Sequence, residues 1–209
     1  MAKVRNLILV GIIALFLGAC SLIPPINVGD DPFGVTGKEV TATVGSSSAL
    51  TVLTKTANGS VSGSFDNVDP GGAPTPASIL AKINIQNAVT VSAADGVYPN
   101  TLTLEITVNG SVSDTSGTAS ASGKISNVGL TKDPNCADAS ASCVYTVTAD
   151  PTAAEVNFTG NAMTIVFAGS QPNTFKVEIA MSVTGSPADL ADGSTITVKL
   201  EGAGATAKL

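Results

Sequence analysis

Thr101-Leu102-Thr103-Leu104-Glu105-Ile106-Thr107-Val108 decides the fold class. Every second residue is apolar, and those between are Thr or Glu. Side chains of a strand alternate between its two faces, so this segment offers one face to a core and one to water. Working outward, the same period returns in Phe175-Lys176-Val177-Glu178-Ile179 and in Thr195-Ile196-Thr197-Val198-Lys199-Leu200. No long stretch carries an apolar period of 3.6. Asn58-Gly59, Asp95-Gly96, Pro99-Asn100, Pro172-Asn173 and Asp192-Gly193 punctuate these runs as turn formers, Asn58-Gly59 as a hairpin. About ten strands follow from this pattern, near 39–44, 49–56, 60–68, 79–92, 101–113, 121–131, 143–149, 155–168, 174–184 and 194–201. A single helical turn is expected at Ser186–Ala191, with Ser186 as N-cap and Pro187 at the first helical position. The chain therefore reads as all-β, an antiparallel β-sandwich, with a closed β-barrel as the alternative.

Two segments of this pattern match each other. Ile83-Asn84-Ile85 and Asn87-Ala88-Val89-Thr90-Val91 precede Pro99-Asn100-Thr101 and Glu105-Ile106. Val156-Asn157-Phe158 and Asn161-Ala162-Met163-Thr164-Ile165 precede Pro172-Asn173-Thr174 and Glu178-Ile179 in the same way. The expected repeat covers about 79–111 and 153–186 and is compatible with two related halves of one sandwich; biased composition is the competing explanation. The second copy carries one more residue at Thr159-Gly160-Asn161. An extra residue flips later side chains to the wrong face unless something absorbs it. A β-bulge at Gly160 would do so, and a hairpin there is the competitor.

The N-terminus is of another kind. Lys3 and Arg5 precede the uncharged run Leu7–Phe16, and Leu17-Gly18-Ala19-Cys20 follows. A basic start, a short apolar stretch and small residues before a cut site make an export signal. The run is shorter than the roughly 20 apolar residues of a spanning helix, and Pro24-Pro25 stops any helical extension.

Leu17-Gly18-Ala19-Cys20 resembles the lipobox of bacterial lipoproteins. The resemblance implies cleavage before Cys20 and acylation of that residue, with several chains holding the protein stably to a membrane. Ser21, rather than Asp, follows the cysteine, which by the sorting habit of such lipoproteins implies the outer membrane. The expected organisation is a signal peptide at 1–19, a lipid-anchored tether at 20–37 and one all-β domain at 38–209. The tether reading rests on the prolines and glycines of Ser21–Gly37.

Composition narrows the function. Ten Lys and Arg, less Lys3 and Arg5, leave eight against sixteen Asp and Glu, a mature net charge of −8 with no Arg. Nucleic-acid binding needs a basic footprint, so no such partner is expected. No Trp is present and aromatic residues make up 4%, too few for stacking platforms that hold sugars or bases. No His is present, which removes His-based catalytic triads and imidazole zinc sites. No phosphate-cradling glycine loop follows a strand.

Cys136 and Cys143 flank the small polar loop Ala137–Ser142. Outside the cytoplasm two nearby thiols oxidise, so a Cys136–Cys143 disulfide is expected; two buried free thiols are the alternative. The spacing is not CxxC, so the bond would be a staple. Glu105 and Glu178 hold equivalent repeat positions facing outward, and are read as solvated strand residues in preference to a glycosidase carboxylate pair. Asp66 and Asp69, in Asp66-Asn67-Val68-Asp69-Pro70-Gly71-Gly72, are weak calcium candidates without EF-hand spacing; no metal or cofactor is expected. The resulting expectation is a non-enzymatic envelope lipoprotein with a structural or binding role, the alternative being a carrier of lipid or another apolar ligand in a barrel cavity.

Overall fold

The computed structural model describes residues 26–49, 52–69, 74–148, 151–169 and 171–209. The signal, Cys20 and residues 70–73 lie outside these ranges. The described chain is almost entirely antiparallel β. Its strands are β1 (Ile26–Gly29), β2 (Glu39–Ala49), β3 (Val52–Phe65), β4 (Ser78–Ser92) and β5 (Thr101–Asp114). They continue with β6 (Gly117–Lys132), β7 (Cys143–Val147), β8 (Ala154–Thr159), helix α1 (Asn161–Ala168), β9 (Asn173–Ser186) and β10 (Thr195–Lys208). Pairing runs β10–β2–β3–β9–β5–β6–β7–β4 and returns through β4–β10, closing a ring of strands. β8 pairs with β4 on the edge that β7 also uses, and β1 pairs with β10 on the edge that β2 also uses, each one nearer the other end of its partner strand.

The alternation that sets this arrangement is visible residue by residue. Leu102, Leu104, Ile106, Val108 and Val112 of β5 are buried, and so are Phe175, Val177, Ile179, Met181 and Val183 of β9. Each such side chain, moved out of water, contributes on the order of 1.5–3 kcal/mol. Gly110 replaces a side chain on the inner face of β5, because a Cβ there would lie 3.0 Å from the Phe158 ring and 3.2 Å from Val156. Small opposite large is how a tightly packed interior interlocks.

Four expectations are corrected. First, Asn58-Gly59 is no hairpin. Both residues lie inside β3, and the β2–β3 turn falls after the Ala49–Val52 pair. Glycine at 59 serves close approach, since a Cβ would stand 2.5 Å from the Thr41 carbonyl oxygen. Second, the strand expected over 155–168 stops at Thr159, and α1 follows. Gly160, at φ +60°, turns the chain there, so it is neither bulge nor hairpin tip. Third, the segment Ser186–Ala191 is not helical. The Asp189 carboxylate accepts the Gly185 N–H at 2.7 Å, and Leu190 is buried, which fixes the segment as a loop.

The fourth correction concerns the tether. Residues 26–37 belong to the domain. β1 pairs with the end of β10, and Phe33 and Val35 are buried. The Phe33 ring meets Phe65 edge-on at 5.3 Å and Phe158 at 6.0 Å. The Asp31 carboxylate organises this loop by accepting the N–H groups of Val35 (2.8 Å) and Thr36 (2.7 Å).

Antiparallel register gives the molecule two ends. Ile26, Phe65, Ser78, the Asp114–Gly117 turn, Thr159, Asn173 and Lys208 share one end. Ala49, Ser92, Thr101, Lys132, Cys143, Ser186 and Thr195 lie toward the other. The first is the near end and the second the far end.

Candidate functional site

At the far end the loop between β6 and β7 is fastened at several points. Cys136 and Cys143 form a disulfide across a Cα separation of 5.7 Å, inside the usual range. Ala139, at φ +64°, donates its N–H to the Gly96 carbonyl at 2.8 Å, and the buried Tyr98 donates its hydroxyl to Ser140 O at 2.7 Å. Tyr145, fully buried, donates its hydroxyl to Pro99 O at 2.6 Å. Burial, then the neighbouring Tyr98 and Asp138, pushes the Tyr145 phenol up to about 12. Lys132 reaches Tyr98 O at 3.3 Å and Asp138 at 3.8 Å. The disulfide loop and the β4–β5 loop are thus one unit. Beside β2 and β3 at this end, Lys55 and Ser46 hydrogen-bond the Asp192 carboxylate and hold it below its usual range.

The two glutamates do not form a catalytic pair. Glu105 lies opposite Ser182, and Glu178 opposite Asn109, four residues along the β5–β9 ladder. That offset separates their backbones by about 13 Å at the rise of a strand, whereas paired glycosidase carboxyls stand roughly 5–9.5 Å apart. Each is also engaged elsewhere: Glu105 accepts the Asn127 N–H at 2.8 Å, and Glu178 pairs with Lys176 at 2.5 Å. Around Glu178 the outer face of β3, β9, β5 and β6 is a sheet of small polar residues. Ser60, Glu178, Asn109 and Ser122 form one cross-strand row, and Ser62, Lys176, Ser111 and Ser120 the next. Shallow depressions of about 330 to 530 Å³ lie along this face, open to water.

Asp66 and Asp69 sit in the loop leaving β3. Among the described residues no three His, Cys, Asp or Glu side chains converge as a metal-holding group. The loop is tied to α1 instead, with Val68 N–H donating to Val166 O at 2.9 Å. Asn67 donates to Gly169 O at 3.1 Å, and its side-chain oxygen accepts from the amides of Gln171 and Asn173. That oxygen is occupied by nitrogen donors, which is the arrangement of a structural corner.

Among the described residues, an apolar pocket borders the core. The apolar pocket bounded by Phe33, Ile83, Phe158, Phe175 and Val177 has a volume of about 10 Å³, close to the least that admits one water. Ligand cavities occupy about 300–1,000 Å³.

The sequence reading missed Tyr98, Tyr145 and Lys132 as parts of the far-end unit. A signal was present, because Cys143 and Tyr145 share the inward parity of β7. Among the described residues no helix is long and apolar enough to cross a membrane. Compared with known families and with curated proteins, the chain matches neither a family model nor a relative.

Proposed function

We propose that this chain is an exported envelope lipoprotein, held to a membrane through acylated Cys20 and serving a structural or binding role without enzymatic activity. The observation that carries the reading is Leu17-Gly18-Ala19-Cys20 placed directly after a short, uncharged apolar run with a basic start. The disulfide supports it, since such bonds persist outside the cytoplasm. Ser21 favours the outer membrane. The far-end unit and the polar face around Glu178 are the surfaces available for binding. A void of about 10 Å³ weighs against the alternative of a lipid or apolar-ligand carrier.

The test is metabolic labelling with a fatty acid in cells producing the wild type and Cys20→Ala. Label should enter the wild type alone, and the variant should leave the membrane fraction or remain uncleaved. Equal labelling of both proteins would sink the lipobox reading.

A further inference from the structure

Resting on that reading, we infer that the near end of the domain faces the lipid headgroups and that the disulfide-bearing far end is the surface presented away from the membrane. Reach sets the orientation. Ile26 pairs with Ala207 at the very end of β10, so the chain enters the fold at the near end. Six peptide steps separate Cys20 from Ile26, and at no more than about 3.6 Å each they span at most roughly 22 Å. A residue beside Ile26 therefore cannot stray far from the acyl chains. β4 begins there, with Ser78 opposite Lys208, and runs 15 residues to Ser92. At about 3.3 Å per residue it carries the chain roughly 46 Å away. The fastened far-end loops, 93–100 and 133–142, lie beyond it.

Charge at the near end opposes adsorption. Asp66 and Asp69 are exposed in the loop that leaves β3 there, and Lys208 is exposed on β10. Carboxylates repel anionic headgroups within about a Debye length, some 8–10 Å at physiological salt. The short leash thus keeps this end close to the bilayer, and the charge keeps it from being drawn down onto an anionic surface. The lipid partner is the headgroup layer of the leaflet that holds the acyl chains, met through proximity and without a binding pocket.

The experiment uses the full lipoprotein purified from membranes and reconstituted into phosphatidylcholine vesicles containing a headgroup-labelled acceptor lipid. Lys208→Cys and Ala94→Cys, both exposed positions, carry the donor dye in separate samples, labelled without reductant. Thermal melts matching the wild type establish that both variants are folded. Energy transfer from position 208 should exceed that from position 94 at least about threefold, given separations of roughly 22 Å and over 46 Å. Replacing a third of the lipid with phosphatidylglycerol should not raise the transfer from position 208. Equal transfer from both positions, or greater transfer from position 94, overturns the orientation; a rise in transfer from position 208 in phosphatidylglycerol overturns the stand-off. Intact mass and vesicle flotation are read on the same samples. An unacylated protein that fails to float refutes the anchor, and an acylated, floating protein with equal transfer refutes only the orientation.

Discussion

Thr107 lies directly opposite Ala180 in the β5–β9 ladder. In β4–β8, Lys82 lies directly opposite Glu155. From 107 to 180 and from 82 to 155 the step is 73 residues in each case, the same step that aligns Ile83 with Val156 and Glu105 with Glu178. Each matching pair of strands therefore crosses at equivalent positions, and each ladder reads the same from either copy. Glu105 and Glu178 are both exposed, in keeping with that relation. The likeness breaks at Gly160, where β8 gives way to α1 while β4 runs on to Ser92, and it returns in β9.

The centre of the β4–β8 ladder supports a charge-reversal test. Lys82 and Glu155 approach to 3.4 Å with both side chains about half exposed. Like charges directly opposite destabilise a strand pair, and solvent screening limits the size to about 0.5 kcal/mol. Lys82→Glu should lower the urea midpoint slightly, and Lys82→Glu with Glu155→Lys should restore it. A double variant no more stable than Lys82→Glu alone would show that the pair is not coupled.

Legibility in the sequence followed one-sided burial. Leu102 to Val108 could be read because only one face of β5 is covered. In α1, Ala162, Met163, Ile165, Val166 and Phe167 are all buried, so no helical stripe stands out. Its β-branched residues also favour a strand by propensity. Asn58-Gly59 misled because glycine answers two needs, turning a chain and clearing space, and only the position of Thr41 shows which applies. Residues 26–37 have the composition of a linker, yet Asp31 folds them by hydrogen bonds that no periodicity records. Of the site, the Cys136–Cys143 bond was legible from spacing. The tyrosine contacts that fasten its loop depend on Pro99 and Ser140, distant in sequence from one or other partner.

Gly123 and Gly117 of β6 should respond oppositely to alanine. A Cβ on Gly123 would lie 2.5 Å from the Glu155 carbonyl oxygen, and backbone cannot yield as a side-chain tip can. Gly123→Ala should cost about 1–3 kcal/mol by forced displacement of β8. Gly117 has nothing within 4 Å of its Cβ position and no left-handed φ. Gly117→Ala should be neutral or stabilise by up to about 1 kcal/mol. Denaturant unfolding measures both, and a neutral Gly123→Ala would contradict the close β6–β8 contact.

Tyr145 predicts a loss of stability in alkali. Its phenol ionises near 10 when unfolded and near 12 when folded. A raised acid favours the folded state while protonated, so its contribution is full below pH 10 and is lost as pH climbs through 12. Tyr145→Phe removes that part of the alkaline slope. At neutral pH the same variant leaves Pro99 O without its 2.6 Å partner and should cost about 1–2 kcal/mol. Melting temperatures of wild type and variant between pH 7 and 12 provide the comparison, and parallel slopes above pH 10 would rule the assignment out.

Where the folded domain starts can be tested directly by truncation. A chain starting at Lys38 loses β1 and its ladder to β10, the Gly204 N–H to Asp30 O bond of 3.0 Å, and the Gly37 N–H to Leu200 O bond of 2.9 Å. It also loses Phe33 and Val35 from the core, exposing Phe65 and Phe158 where the Phe33 ring now covers them. Removing one buried aromatic side chain alone costs about 3–5 kcal/mol, a large share of the 5–15 kcal/mol that holds a typical domain together. A soluble chain starting at Ile26 should unfold cooperatively in urea, whereas the chain starting at Lys38 should show a much lower midpoint or no folded baseline. The point substitution Phe33→Ala in the longer chain should reproduce most of that loss by itself, because the ring is the largest buried side chain of the segment and the one that meets Phe65 and Phe158. Equal midpoints for the two truncations would return residues 26–37 to the role of a passive tether.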